Sequence, residues 1–215
     1  MYIVLITLLI VCYGNMSGTQ QEEKARKILE QFSEQVISAP SVSIDFTVIV
    51  SSLRDDIPEE FEGEIIISND KYRLSFMETE TRFDGKSVYT YMPEVNEVII
   101  SDPEESGGLI SNPAKLFTIY NEEFSYRFIG EENHERITLY EIDLHPVELD
   151  HDFHTVKLFI RQEDHILHSA VIAGKDGNRY TLIVNDFNFT GELPGSFFLF
   201  NKSDYPGVEV IDMRW

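Results

Sequence analysis

The chain changes its hydrophobic period once, near residue 40, and that change limits what it can fold into. Upstream, Glu22 to Ile37 contains neither Gly nor Pro. Ile28, Leu29, Phe32 and Val36 recur there at helical spacing and form one apolar stripe. Pro40 ends that helix. From Val42 onward the period is two: Val42, Ile44, Phe46, Val48 and Val50 alternate with mostly polar neighbours, as in a strand with one buried face. The alternation continues through Phe61, Gly63, Ile65 and Ile67, and then through Tyr72, Leu74 and Phe76 after a turn at Asn69-Asp70. Asp84-Gly85-Lys86 predicts a tight turn into Ser87–Met92, and Glu97–Ile100 forms a further strand. Asn112-Pro113 predicts the start of a short helix through Phe117, with Asn112 as its cap.

Five more strands are expected near 123–129, 136–144, 154–162, 165–173 and 179–189, and short closing strands at Phe197–Phe200 and Val208–Val210. No strand–helix–strand alternation appears, so a parallel sheet is disfavoured. The expected fold is mainly β with a few helices. It is an unclosed antiparallel β-barrel of about eleven strands with a helical lid, because an antiparallel sheet that wide must curl.

The first nineteen residues are predicted to be a signal peptide, and residues 20–215 a single folded domain. Tyr2 to Tyr13 is apolar and uncharged but shorter than the roughly 20 residues that span a membrane. No Lys or Arg precedes the run. Gly14, Ser17, Gly18 and Thr19 are small residues suited to cleavage. Cys12 is the sole cysteine, so the remainder has no disulfide. Leu9-Ile10-Val11-Cys12 also resembles a lipoprotein acylation box, although Val11 is bulkier than the small residue such a box prefers. The net charge of −21 repels phosphates and anionic headgroups, which argues against a nucleic-acid partner.

No chemistry-bearing motif supports catalysis. There is no Gly-x-Ser-x-Gly elbow, Walker loop or dinucleotide fingerprint. The His145–His154 stretch is rich in potential metal ligands, yet it reads as an acidic hairpin loop, with His151 and His154 on opposite faces if extended. No enzyme, cofactor or metal site is expected. Apolar surface is what remains: Ile65, Ile66 and Ile67 are consecutive, as are Val98, Ile99 and Ile100, so both sheet faces carry greasy side chains in places.

At Phe83-Asp84-Gly85-Lys86-Ser87-Val88-Tyr89-Thr90-Tyr91-Met92-Pro93 the chain resembles the outer-membrane lipoprotein carrier protein family (LolA-like). Ile44-Asp45-Phe46-Thr47, Gly63-Glu64-Ile65, Lys71-Tyr72-Arg73-Leu74, Asn112–Phe117, Ile166–Asn178 and Phe197–Val208 are similar to successive family segments in the same order. The resemblance implies a soluble, monomeric periplasmic carrier of a Gram-negative bacterium. Such a carrier takes acylated lipoproteins from an inner-membrane ABC transporter and delivers them to an outer-membrane receptor or to the membrane itself. A related lipid-binding barrel, acting as a lipidated receptor or an envelope-stress sensor, is the alternative it leaves open. The lining that the resemblance implies is Phe46, Val48, Ile65, Ile67, Leu74, Phe76, Tyr89, Tyr91, Leu116 and Phe117. Family members latch the lid through an Arg-Pro after the second strand. Here Ser68-Asn69-Asp70 stands in its place, which leaves uncharged Asn69 as the candidate latch.

Overall fold

A computed structural model describes residues 17–52, 57–103, 108–109, 112–117, 124–134, 136–148 and 150–214. The apolar leader and Cys12 lie outside the described residues. Helix α1 runs Gly18–Ser38, four residues earlier than the apolar stripe predicts. Ser17 supplies the reason. Its hydroxyl accepts from the Gln20 amide, and the Gln20 side chain accepts from the Ser17 amide at 3.0 Å. This reciprocal capping box satisfies two backbone donors that the helix start leaves unpaired. Ala39, in extended conformation before Pro40, terminates α1. The buried stripe is Ala25, Ile28, Leu29, Phe32 and Val36.

Twelve strands follow: β1 (Ser41–Ser52), β2 (Glu59–Ser68), β3 (Lys71–Phe76), β4 (Thr79–Phe83), β5 (Val88–Met92), β6 (Glu97–Ser101), β7 (Phe124–His134), β8 (Ile137–Pro146), β9 (Phe153–Arg161), β10 (Leu167–Gly174), β11 (Asn178–Thr190) and β12 (Glu209–Asp212). They form one sheet in the order β12-β6-β5-β4-β3-β2-β1-β11-β10-β9-β8-β7. The fold is an open, unclosed barrel. Strands β1 to β6 step one way as hairpins, β7 to β11 step back toward them, and β1 paired with β11 joins the two halves. All pairings are antiparallel except β6 with β12, which is parallel. The Phe197–Phe200 segment does not form a strand. Gly195–Phe198 is a 3₁₀ turn opened by Pro194, whose ring cannot donate to a ladder.

The register divides the side chains between two faces. Ile44 opposes Ile65, which opposes Leu74, and all three are buried. On the other half, Val48 opposes Leu182, and Leu158 pairs with both Ala170 and Ile142. β11 carries an extra residue, Asn185, where the register shifts between Asp45 and Phe46. That bulge lets Val184 and Phe187 both pack on the inner core. One continuous cluster joins α1 to side chains from β3 across to β7. Eight flat strands would span about 34 Å at the usual ~4.8 Å spacing, far more than one helix covers. The sheet therefore curls around α1, and this inner face holds the main core.

A second, smaller core lies on the outer face at the far end of the sheet. Val98, Ile100 and Val208 are buried there, with Tyr89, Tyr91, Phe200, Tyr205 and Val210 packed against them. Polar contacts fasten this covering segment. Arg82 donates to the Leu199 carbonyl at 2.8 Å and to the Tyr205 hydroxyl at 3.0 Å. Tyr205 donates to Glu80 at 2.9 Å, and Glu80 also pairs with Arg73 and Arg82.

Burial alone would raise the Glu80 carboxyl, but the bonds from Arg73, Tyr205 and Arg82 outweigh it and hold the carboxyl below its ordinary value. A depressed carboxyl stabilises the fold fully above its unfolded value, about 4.3, and that contribution fades as pH falls through the lower folded value. Wild type is therefore expected to melt several degrees above Glu80→Gln at pH 7, with the gap narrowing below about pH 4. Thermal melts across that range check it, and a gap independent of pH would refute the ion-pair account.

Candidate functional site

The inner face of β1, β2 and β3 is a continuous apolar wall. Phe46, Val48, Ile65, Ile67, Leu74 and Phe76 all point into it and are buried. Phe46 and Phe76 stand 5.5 Å apart between ring centroids, and Phe61 meets Phe76 edge-on at 6.5 Å. Phe46 lies across Gly63, its register partner. A Cβ at residue 63 would come within 2.3 Å of the Phe46 ring, so only glycine allows the ring to settle there.

Two elements cover this wall. α1 lays Phe32 against it, and the 3₁₀ turn Pro113–Phe117 adds Ala114, Leu116 and Phe117. Phe32 and Phe117 meet with ring centroids 6.2 Å apart, so the two covers touch one another. Near its other edge α1 is held by Lys24, whose ammonium sits 3.7 Å from the Phe128 ring centroid and 3.1 Å from Glu131. Lys24 is half-buried and Glu131 exposed, and ion pairs open to water in this way contribute little stability. The grip on α1 is therefore mainly apolar.

Beside the Met77–Glu78 turn the sheet also bears an open cleft of about 610 Å³. Phe46, Phe76 and Met77 line it, together with Asp45, Glu62, Glu64 and Glu78. Asp45 stands directly opposite Glu64 on one side and Asp186 on the other. Asp45, Glu62 and Glu64 alternate with Phe46, Gly63 and Ile65, so this acidic surface lies on the face of the sheet away from the wall.

Of the lining residues predicted from sequence, Tyr89 and Tyr91 do not join this wall. Register explains it. Phe83 opposes Val88 and Thr81 opposes Thr90, so Val88 and Thr90 share the side of Leu74. Tyr89 and Tyr91 then face outward, where they stack on Phe200 (5.6 Å) and Tyr205 (4.5 Å) in the second core. Leu116 and Phe117 do reach the inner cluster.

The latch assigned to Asn69 also moves. Asn69 is exposed at the β2–β3 turn with φ of 55° and borders the end of α1, beside Ile37, Ser38 and Pro40. A polar side-chain tie from the Pro113–Phe117 segment to the sheet runs instead from Asn112 to Tyr72. The Asn112 Nδ2 donates to the Tyr72 hydroxyl at 2.7 Å. Asn112 is thus no side-chain helix cap, since its Oδ1 has no hydrogen-bond partner at all. Burial pushes the Tyr72 hydroxyl up, against the opposite pull of the Asn112 bond, so it stays neutral. Tyr72 was legible as an inward residue, because it shares parity with Leu74 and Phe76; its pairing with Asn112, forty positions away, was not.

The histidine-rich stretch forms the β8–β9 connection, where His151 stacks beside Phe124 and Phe153 at 5.6 and 5.3 Å. Among the described residues no three His, Cys, Asp or Glu side chains converge as a metal site would need. No described helix is long and apolar enough to cross a membrane.

No family model matches the chain, and no curated protein matches it either. Solved structures do. An uncharacterised conserved protein from Thermus thermophilus superposes with a TM-score of 0.57 at 16% identity, covering 87% of this chain and 98% of that one. A putative outer membrane lipoprotein-sorting protein domain from Vibrio parahaemolyticus gives 0.52 at 10% identity, covering 86% and 99%. The chain shares the fold of these two proteins. At these identities the likeness extends to the backbone architecture, while the inner wall, its two covers and the acidic cleft belong to this chain's own residues.

Proposed function

We propose that this chain is a non-enzymatic periplasmic carrier that shelters the acyl chains of lipoproteins against the inner wall while moving them from the inner to the outer membrane. An inner-membrane ABC transporter would load it, and an outer-membrane receptor or the membrane itself would unload it. The observation that carries this reading is the make-up of the covers. α1 and the Pro113–Phe117 turn meet the sheet chiefly through apolar side chains on one unclosed face. Each CH₂ hidden from water is worth about 0.8 kcal/mol, so fatty tails need such a shelter in transit. When α1 lifts and tails take its place, apolar burial is exchanged for apolar burial. The balance between closed and loaded states is then shallow, which loading followed by release requires. The net charge of −21 opposes lingering on anionic membranes.

The test is titration of delipidated protein with a fluorescent triacylated lipopeptide. Saturable binding with one ligand per chain is expected. A purely structural module with a solid core would show none, and that result would refute the carrier.

A further inference from the structure

Asn112 is the one described residue with a buried side-chain nitrogen or oxygen that lacks a hydrogen-bond partner. The residue is 2% exposed and opens the turn that carries Leu116 and Phe117. Hiding an acceptor from water without a partner is costly, and native structures seldom tolerate it without a reason. The Tyr72 hydroxyl already takes the Nδ2 half of the amide at 2.7 Å. Turning the amide over would leave both of its N–H bonds unpaired, and buried N–H groups without partners are rarer than such carbonyls. A bound chain bearing one donor would pair Oδ1.

We propose that Asn112 reads the head of the bound chain: its free Oδ1 accepts a hydrogen bond from an N–H or O–H adjoining the acyl tail, so an amide-linked chain binds in preference to its ester. This rests on the carrier reading and narrows its ligand class. An ester oxygen has no hydrogen to give, and it would bury Oδ1 still unpaired beside a second acceptor. Tyr72 acts as a positioning residue by holding the amide in the receptive orientation.

The experiment compares two probes on the full, delipidated protein: N-palmitoylglycine methyl ester and its analogue O-palmitoylglycolic acid methyl ester, which differ only in N–H against O. About tenfold tighter binding of the amide is expected. In Asn112→Leu the two probes should bind alike, near the wild-type affinity for the ester. Tyr72→Phe should weaken the preference, which supplies a second variant if Asn112→Leu does not fold. A palmityl alcohol and methyl ether pair tests O–H as the donor source in the same way, and loss of the alcohol's advantage alone would confine the site to N–H. Equal affinities of wild type for the amide and ester, or a preference that survives in Asn112→Leu, overturn the inference while leaving the carrier standing. If neither probe binds, the carrier reading falls and this inference falls with it.

Discussion

Phe32→Ala is expected to lower stability by about 3–5 kcal/mol while strengthening acyl binding. Phe32 is fully buried and meets Phe117 from the lid turn, so it joins the two covers to each other as well as to the wall. Losses of that size take a large share of the roughly 5–15 kcal/mol that holds a domain together and correspond to a melting drop of about 10 °C. The loss should be local. Hydrogen exchange should quicken in α1 and at residues 113–117, while the β1–β11 pairing at the centre of the sheet stays protected. The void left behind is lined by apolar groups, and such voids accept apolar guests. A lipopeptide should therefore bind more tightly to Phe32→Ala than to wild type. A variant that is destabilised without gaining affinity would mean that the ligand does not occupy the space beneath α1.

The second large effect separates the two faces of the sheet. Phe76→Glu is expected to cut lipopeptide affinity by tenfold or more, whereas Tyr91→Glu should leave it unchanged. Both positions alternate within strands and look alike in sequence. Phe76 belongs to the inner wall, at the last residue of β3. Placed there, a charge would confront acyl tails in a poorly solvated setting, which is strongly unfavourable. Tyr91 lies on the opposite side, tilted against Tyr205 at 4.5 Å, so a charge there perturbs only the second core. Calorimetric titration of both variants reads the difference directly. Equal losses would show that binding depends on general stability rather than on the inner wall.

The misplacement of Tyr89 and Tyr91 shows how far alternation carries. A period of two says that Tyr89 and Tyr91 share a side; it does not say which side. The side is set by the turn from Asp84 to Ser87, where the Asp84 carboxylate accepts from the amides of Lys86 and Ser87 at 2.8 Å and Gly85 takes φ of 94°. That closure pairs Phe83 with Val88 and sends the tyrosines outward. The same uncertainty hid the role of the chain's end. Residues 195–212 bury the outer-face tyrosines and add β12 in parallel to β6, a partnership between segments more than a hundred positions apart. Asn112 was legible as a residue at the head of a turn, but its choice of the Tyr72 hydroxyl over a capping role depends on what the folded sheet places beside it.

Local physics settled most of the elements. Side-chain periodicity, the Ser17–Gln20 capping box, Pro40 and the Asx and glycine turns act within a few residues, so the amino-acid order alone determined one opening helix, the succession of hairpins and the alternation that puts the apolar residues of each strand on one side. Tertiary structure decided which face each strand presents, which side chains cover the wall, and where a buried acceptor goes unpaired. Those outcomes depend on contacts between distant segments, whose free energy appears only once the curled sheet has brought them together.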